Sequence, residues 1–157
     1  MAVTAGDVAP PFELPGVLAG ERSTYCLADF RGQSVVLIFY PGDNTPVCTR
    51  QLNAYTADVD RFRSVDAQVL AISPQDLDSH EAFATDQGGF AFPLLADVDK
   101  TVADAYGVLG PIGFYRRCTF VVDAEGRLAV VSRGFAGSTF RGPDESVAHV
   151  PDGFHRS

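Results

Sequence analysis

The chain is poor in cysteine, in positive charge and in long apolar runs, and each shortage excludes something. Its three cysteines, Cys26, Cys48 and Cys118, are an odd number with no Cys-x-x-Cys pair. That fits neither the disulfide framework of a small secreted protein nor a zinc ribbon. The three histidines, His80, His149 and His155, lie at no ligand-like spacing from a cysteine, so no metal site is expected. Lys and Arg number 12 against 20 Asp and Glu, a net charge of −8, which argues against nucleic acid or an anionic membrane as partner. The longest apolar run, residues 35–40, is strand-sized and far short of a membrane span. The opening MAVTAGDVAPPFELPGV lacks the basic start and apolar stretch of a secretory signal, and a cytoplasmic location is the default expectation. No repeat, low-complexity tract or obvious linker is read before the last segment, which follows Arg133.

What remains is 157 residues with 46% hydrophobic content, enough for one folded domain over residues 1–157 that needs no disulfide or structural metal. Residues 9–15, with three prolines, read as an edge strand or arm. Residues 25–27 read as a short strand and 29–32 as a turn. The run Val35-Val36-Leu37-Ile38-Phe39-Tyr40 predicts a central strand buried on both faces. A helix is expected over 46–65, its apolar positions Leu52, Tyr55, Val59 and Phe62 at helical spacing. A second buried strand over 69–73 stops at Pro74. A helix over 79–86 ends at Gly88 and Gly89, and residues 92–95 lead into a short helix through Val102, Ala105 and Tyr106, closed by Gly107. Residues 119–122 and 128–131 flank a turn and predict a hairpin. The class is α/β, a mixed central sheet flanked by helices on both faces. Thioredoxin-like and flavodoxin-like arrangements both satisfy this pattern. Six glycines and prolines after Arg133 break any helical period, so residues 134–157 are expected to be irregular.

The stretch Pro41-Gly42-Asp43-Asn44-Thr45-Pro46-Val47-Cys48 carries the chemistry. Thr45 suits an N-cap and Pro46 the first helical position, which places Cys48 third in the helix. There a sulfur lies near N–H groups with no intrahelical partner, at the positive end of the dipole, which favours thiolate over thiol. Arg117, just before the strand over 119–122, is the best candidate for a cation that would favour it further.

Pro41, Thr45 and Cys48 resemble the Pro-x-x-x-Thr-x-x-Cys signature of peroxiredoxins, and Arg117-Cys118-Thr119-Phe120 resembles the Arg-x-Thr-Phe strand of the same family. The likeness runs from about residue 5 to residue 133 and is nearest to the Q-type (bacterioferritin-comigratory) and E-type subfamilies of the alkyl hydroperoxide reductase/thiol-specific antioxidant superfamily. It implies a thioredoxin-like fold and a thiol-dependent peroxidase acting on hydrogen peroxide and organic hydroperoxides. Cys48 would attack the peroxide and become a sulfenic acid, and Thr45 would hydrogen-bond the substrate. Arg117 would stabilise the thiolate and the leaving oxygen, and Pro41 would shield the sulfur. No cofactor is implied, because the sulfur itself carries the electrons. The positions that often hold a resolving cysteine are Asn53 and the cysteine-free stretch 79–87. A one-cysteine mechanism is therefore expected, with an external reductant: a thioredoxin-like or glutaredoxin-like protein, or a low-molecular-weight thiol. Gln51 stands where Glu is frequent in the family, keeping the hydrogen bonding and losing the charge.

Blander readings stand beside these. Cys48 could be a small buried hydrophobe, and Arg117 a plain surface cation. Strand alternation sends Cys118 to the side opposite Arg117, into the core, and Arg116 to the surface. Cys26 reads as partly buried packing, and both it and Cys118 are candidate resolving partners. Phe114 and Tyr115 read as core filling or as part of a homodimer contact beside the site, the contact being favoured. A redox sensor that reacts once, or a binding module with a vestigial site, are the rival functions.

Overall fold

A computed structural model describes residues 3–43, 46–57, 59–64, 66–110, 113 and 115–133. Along them run β1 (Glu13–Leu18), β2 (Glu21–Cys26), a 3-10 turn (Leu27–Phe30), β3 (Ser34–Phe39), α1 (Pro46–Ala57), α2 (Val59–Ser64), β4 (Ala67–Ser73), α3 (Leu77–Asp86), β5 (Leu94–Ala96), α4 (Thr101–Tyr106), β6 (Cys118–Val122) and β7 (Leu128–Arg133). The segment 134–157, expected to be irregular, lies outside the described residues.

The unbroken apolar run in β3 has a simple outcome: all six of its residues are buried, and the strand sits inside a seven-stranded sheet of order β2-β1-β5-β4-β3-β6-β7. It pairs parallel with β4, from Ser34↔Ala67 to Phe39↔Ile72, and antiparallel with β6, from Val35↔Val122 to Phe39↔Cys118. Successive side chains alternate between two cores. Val35, Leu37 and Phe39 join Ile72 and Phe120 on one face, beneath Phe12, Val102 and Tyr106. Val36 and Ile38 join Val69 and Val121 on the other, beneath Leu52, Tyr55, Phe62 and Phe83 from α1, α2 and α3. Each such apolar side chain contributes roughly 1.5–3 kcal/mol on burial, so a strand with two buried faces is among the strongest organisers of a fold. The mixed sheet covered on both faces is the arrangement expected from the sequence.

Local chemistry sets the boundaries. The helix expected over 46–65 is α1 followed by α2, with Tyr55 stacked on Phe62 at 5.4 Å and Asp58 outside the described residues. The helix expected at 79 begins at Leu77, because Asp76 caps it by accepting from the Ser79 N–H at 2.9 Å. In α4 the core-facing alanine is Ala103, not Ala105, which is exposed; Gly107 ends the helix in the left-handed region.

The N-terminal reading needs correction. Residues 9–15 do not form the edge: β1 lies between β2 and β5, and β2 is the edge strand, six residues long rather than three. The two join through Ala19 (φ 54°) and Gly20 (φ 82°), both left-handed as a tight hairpin turn requires. An Ala-Gly pair carries little turn signal, and Glu21, Arg22, Ser23 and Thr24 are exposed, so the edge strand has no apolar alternation to betray it. No helix among the described residues is long and apolar enough to cross a membrane.

Candidate active site

The site begins where β3 ends. Tyr40 follows the strand, Pro41 turns the chain away, and α1 opens at Pro46 with Cys48 as its third residue. The first turn holds no acidic side chain to oppose a thiolate, and its backbone N–H groups have no partner within the helix. Pro41 is half-buried, while Gly42 and Asp43 are buried. Thr45 and the side chain of Cys48 lie outside the described residues.

Arg117 arrives from across the sheet. The β3–β6 register, carried one residue past Phe39↔Cys118, sets Arg117 opposite Tyr40. Directly opposed residues of an antiparallel pair share a face, and Tyr40 belongs to the core covered by α1. Arg117 is therefore on the α1 side, at the end of β3 from which Pro41 and α1 depart, and it is only 4% exposed. A buried guanidinium is not a plain surface cation. Cys118, its neighbour, packs into the opposite core at 1% exposure, as alternation demands.

Two neighbours differ from expectation. Arg116 is not a free surface cation; its guanidinium donates to the carbonyls of Gly107 (3.2 Å) and Val108 (3.4 Å), covering the end of α4. Tyr115 is core filling rather than a dimer contact. It is buried against Phe39 and its hydroxyl donates to Asp97 at 2.6 Å, burial and that carboxylate together holding it protonated. Phe114 lies outside the described residues.

The other thiols are poorly placed to meet Cys48. Cys118 is on the face away from α1. Cys26 ends β2, four strand positions from β3, or about 19 Å at ordinary strand spacing. Its thiol is pushed up from its usual range by burial first, then by Glu13 and Asp29. Asn53 donates its side-chain amide to Gln87 at 3.0 Å, so the position where a resolving cysteine is common ties α1 to the end of α3.

A buried polar cluster went unread in the sequence. Asp43, in the loop before Cys48, accepts from the Tyr40 hydroxyl at 2.7 Å and the Ser79 hydroxyl at 2.7 Å. It also faces His80 Nδ1 at 2.8 Å. The Asp43 N–H donates to Gln75 Oε1 at 2.7 Å. His80 is fully buried, with Nε2 at 3.0 Å from the Leu95 carbonyl. The sole sequence hint was a histidine at an interior position of an amphipathic helix, and nothing in its spacing pairs it with Asp43, 37 residues away.

The AhpC/TSA family matches residues 5–131. Among curated relatives, "Putative peroxiredoxin Rv2521" of Mycobacterium tuberculosis is 38% identical over 137 residues, covering 82% of this chain and 83% of that protein. Peroxiredoxin-2 of Mus musculus is 36% identical over 134 residues, covering 81% of this chain and 68% of that one. Of solved structures, Mycobacterium tuberculosis AhpC superposes with a TM-score of 0.86 at 29% identity, over 95% of this chain and 92% of that one. The match extends across both the strand that delivers Pro41 and the strand that follows Arg117, and the chain belongs to the AhpC/TSA family as a peroxiredoxin, a thiol-dependent peroxidase.

Proposed function

We propose that Cys48 is the nucleophile of this peroxidase and that it works by a one-cysteine mechanism. The Cys48 thiolate attacks one peroxide oxygen, the S–O bond forming as the O–O bond breaks. The departing oxygen leaves as hydroxide or alkoxide and takes a proton from solvent. The resulting sulfenic acid condenses with an external thiol, releasing water and forming a mixed disulfide. A second thiol then displaces Cys48 and carries the disulfide away. Thr45 binds substrate oxygen, Arg117 stabilises the thiolate and the charge on the departing oxygen, and Pro41 limits water at the sulfur. Hydrogen peroxide and organic hydroperoxides are the substrates, and a thioredoxin-like protein, a glutaredoxin-like protein or a small thiol the reductant.

The observation that carries the one-cysteine reading is the placement of the other two thiols. Cys118 packs on the far face of the sheet and Cys26 lies four strand positions off. A disulfide needs Cα atoms within about 7 Å, so neither closes on Cys48 without a strand leaving the sheet. The test is peroxide consumption with dithiothreitol as reductant. Cys48→Ser is expected to abolish turnover, Arg117→Ala to slow it about 100-fold or more, and the double variant Cys26→Ser/Cys118→Ser to leave it within about twofold of the parent. Loss of turnover in that double variant, with its fold intact, would contradict the mechanism.

A further inference from the structure

We infer that Asp43 and His80 are positioning residues, a buried pair that holds the loop between β3 and α1 in the arrangement that reacts with peroxide. The inference rests on Cys48 being the peroxide-reactive residue and adds to it a requirement for residues outside the signature.

The geometry is specific. His80 Nε2 faces the Leu95 carbonyl, which only accepts, so the hydrogen-bond network assigns a proton to Nε2. Nδ1 faces a carboxylate oxygen at 2.8 Å, so a second proton lies between His80 and Asp43. The pair is 0% and 1% exposed at the side chains. With its carboxylate also accepting from Tyr40 and Ser79, Asp43 is bound by three elements: the end of β3, α3, and through His80 the β5 carbonyl. Gln75 adds a fourth tie, at the Asp43 backbone N–H.

A stability role alone explains this poorly. Burying such a pair takes two polar groups out of water, and a well-packed apolar pair often serves stability equally well. What the pair supplies is direction, because Asp43 Oδ1 accepts from Tyr40, Oδ2 faces both Ser79 and His80 Nδ1, and His80 Nε2 faces the Leu95 carbonyl, each partner at a fixed place. Asp43 lies two residues after Pro41 and five before Cys48, with both ends of that short segment set: Tyr40 by its bond to the Ile72 carbonyl and Cys48 by α1. Fixing Asp43 therefore sets the course of the chain from Pro41 to Asp43, on the approach to α1. Peroxide attack is sensitive to this, since the substrate has to be aligned with the sulfur and its donors, whereas simple alkylation of a thiolate demands far less alignment.

The experiment compares two rate constants at Cys48, read by site-resolved mass spectrometry, in wild type, Asp43→Asn, His80→Asn and Ser79→Ala. One is for hydrogen peroxide and the other for iodoacetamide. In His80→Asn and Asp43→Asn the peroxide rate should fall about tenfold or more relative to the iodoacetamide rate. Ser79→Ala, which removes one donor and leaves the pair, should lower that ratio by about threefold. A merely structural role moves both rates together and leaves the ratio at the wild-type value, and that result overturns the inference. Should the two pair variants fail to fold, the Ser79→Ala ratio decides in the same way. If wild-type Cys48 itself does not react with peroxide, the assignment of Cys48 fails, and the positioning role with it; an unchanged ratio with a reactive wild type refutes the positioning role alone.

Discussion

At the scale of single residues, the site divides into what a motif can announce and what only three-dimensional packing reveals. Pro41, Thr45, Cys48 and Arg117 could be named together because they resemble the peroxiredoxin signature, while local rules alone supply a cap at Thr45, a first-position proline at Pro46 and a thiol in the first turn. The strand register then places Arg117 opposite Tyr40. His80 and Asp43 could not be read that way, since no periodicity links a loop aspartate to a helix histidine 37 residues on. Tyr115, read as core filling or as part of a dimer contact with the contact favoured, is core filling, and the Asp97 carboxylate that receives its hydroxyl lies 18 residues away with no pattern to link them. The two thiols differ in a way that can be tested. Burial, Glu13 and Asp29 raise Cys26, so its thiolate fraction is small at neutral pH and grows only as pH rises above the ordinary thiol range. Cys48, in the first turn of a helix, is expected to be lowered. With limiting iodoacetamide at pH 7, labelling should fall on Cys48 well ahead of Cys26, and the difference should narrow as pH is raised towards 10, checked by peptide mass spectrometry. Preferential labelling of Cys26 at pH 7 would contradict this ordering.

At the scale of elements, strong apolar runs were legible and weak turns were not. β3, β4, α1 with α2, and the β6–β7 hairpin follow from residues whose burial is unambiguous, such as Val36, Ile38, Leu70 and Phe120. The β1–β2 hairpin was missed because Ala19-Gly20 is a poor advertisement for a turn and β2 is largely polar. Its packing nevertheless has a tight point. A Cβ on Gly16 would stand 2.8 Å from Tyr25 Cδ1 and 3.1 Å from Leu95 Cδ1, so two side chains would have to move. Gly16→Val should destabilise the protein by about 1–3 kcal/mol, the usual range for overpacking, lowering the urea midpoint. The peroxide rate of the folded protein should stay within about twofold, because the added Cβ meets the Leu95 side chain and not the Leu95 carbonyl that His80 faces. An unchanged midpoint would show that Tyr25 yields freely.

At the scale of the whole molecule, the sheet explains why the chemistry sits where it does. The strand buried on both faces, β3, delivers the loop of Pro41 to one end of the sheet, its antiparallel neighbour β6 begins at that same end just after Arg117, and α1 starts there. The same architecture separates the thiols: Cys118 faces the opposite core and Cys26 belongs to the outermost strand. The alternation of strands and helices bounded the fold class but is shared by thioredoxin-like and flavodoxin-like sheets; the resemblance of the site residues favoured the first, and the likeness to solved peroxiredoxins bears it out. That placement of thiols makes the mass of the intact chain the most direct test of the central claim. One equivalent of hydrogen peroxide, followed by mass measurement without added thiol, should give a gain of one oxygen that is absent in Cys48→Ser. A loss of two hydrogens instead would mean that Cys26 or Cys118 closes a disulfide with Cys48, and would contradict the one-cysteine mechanism.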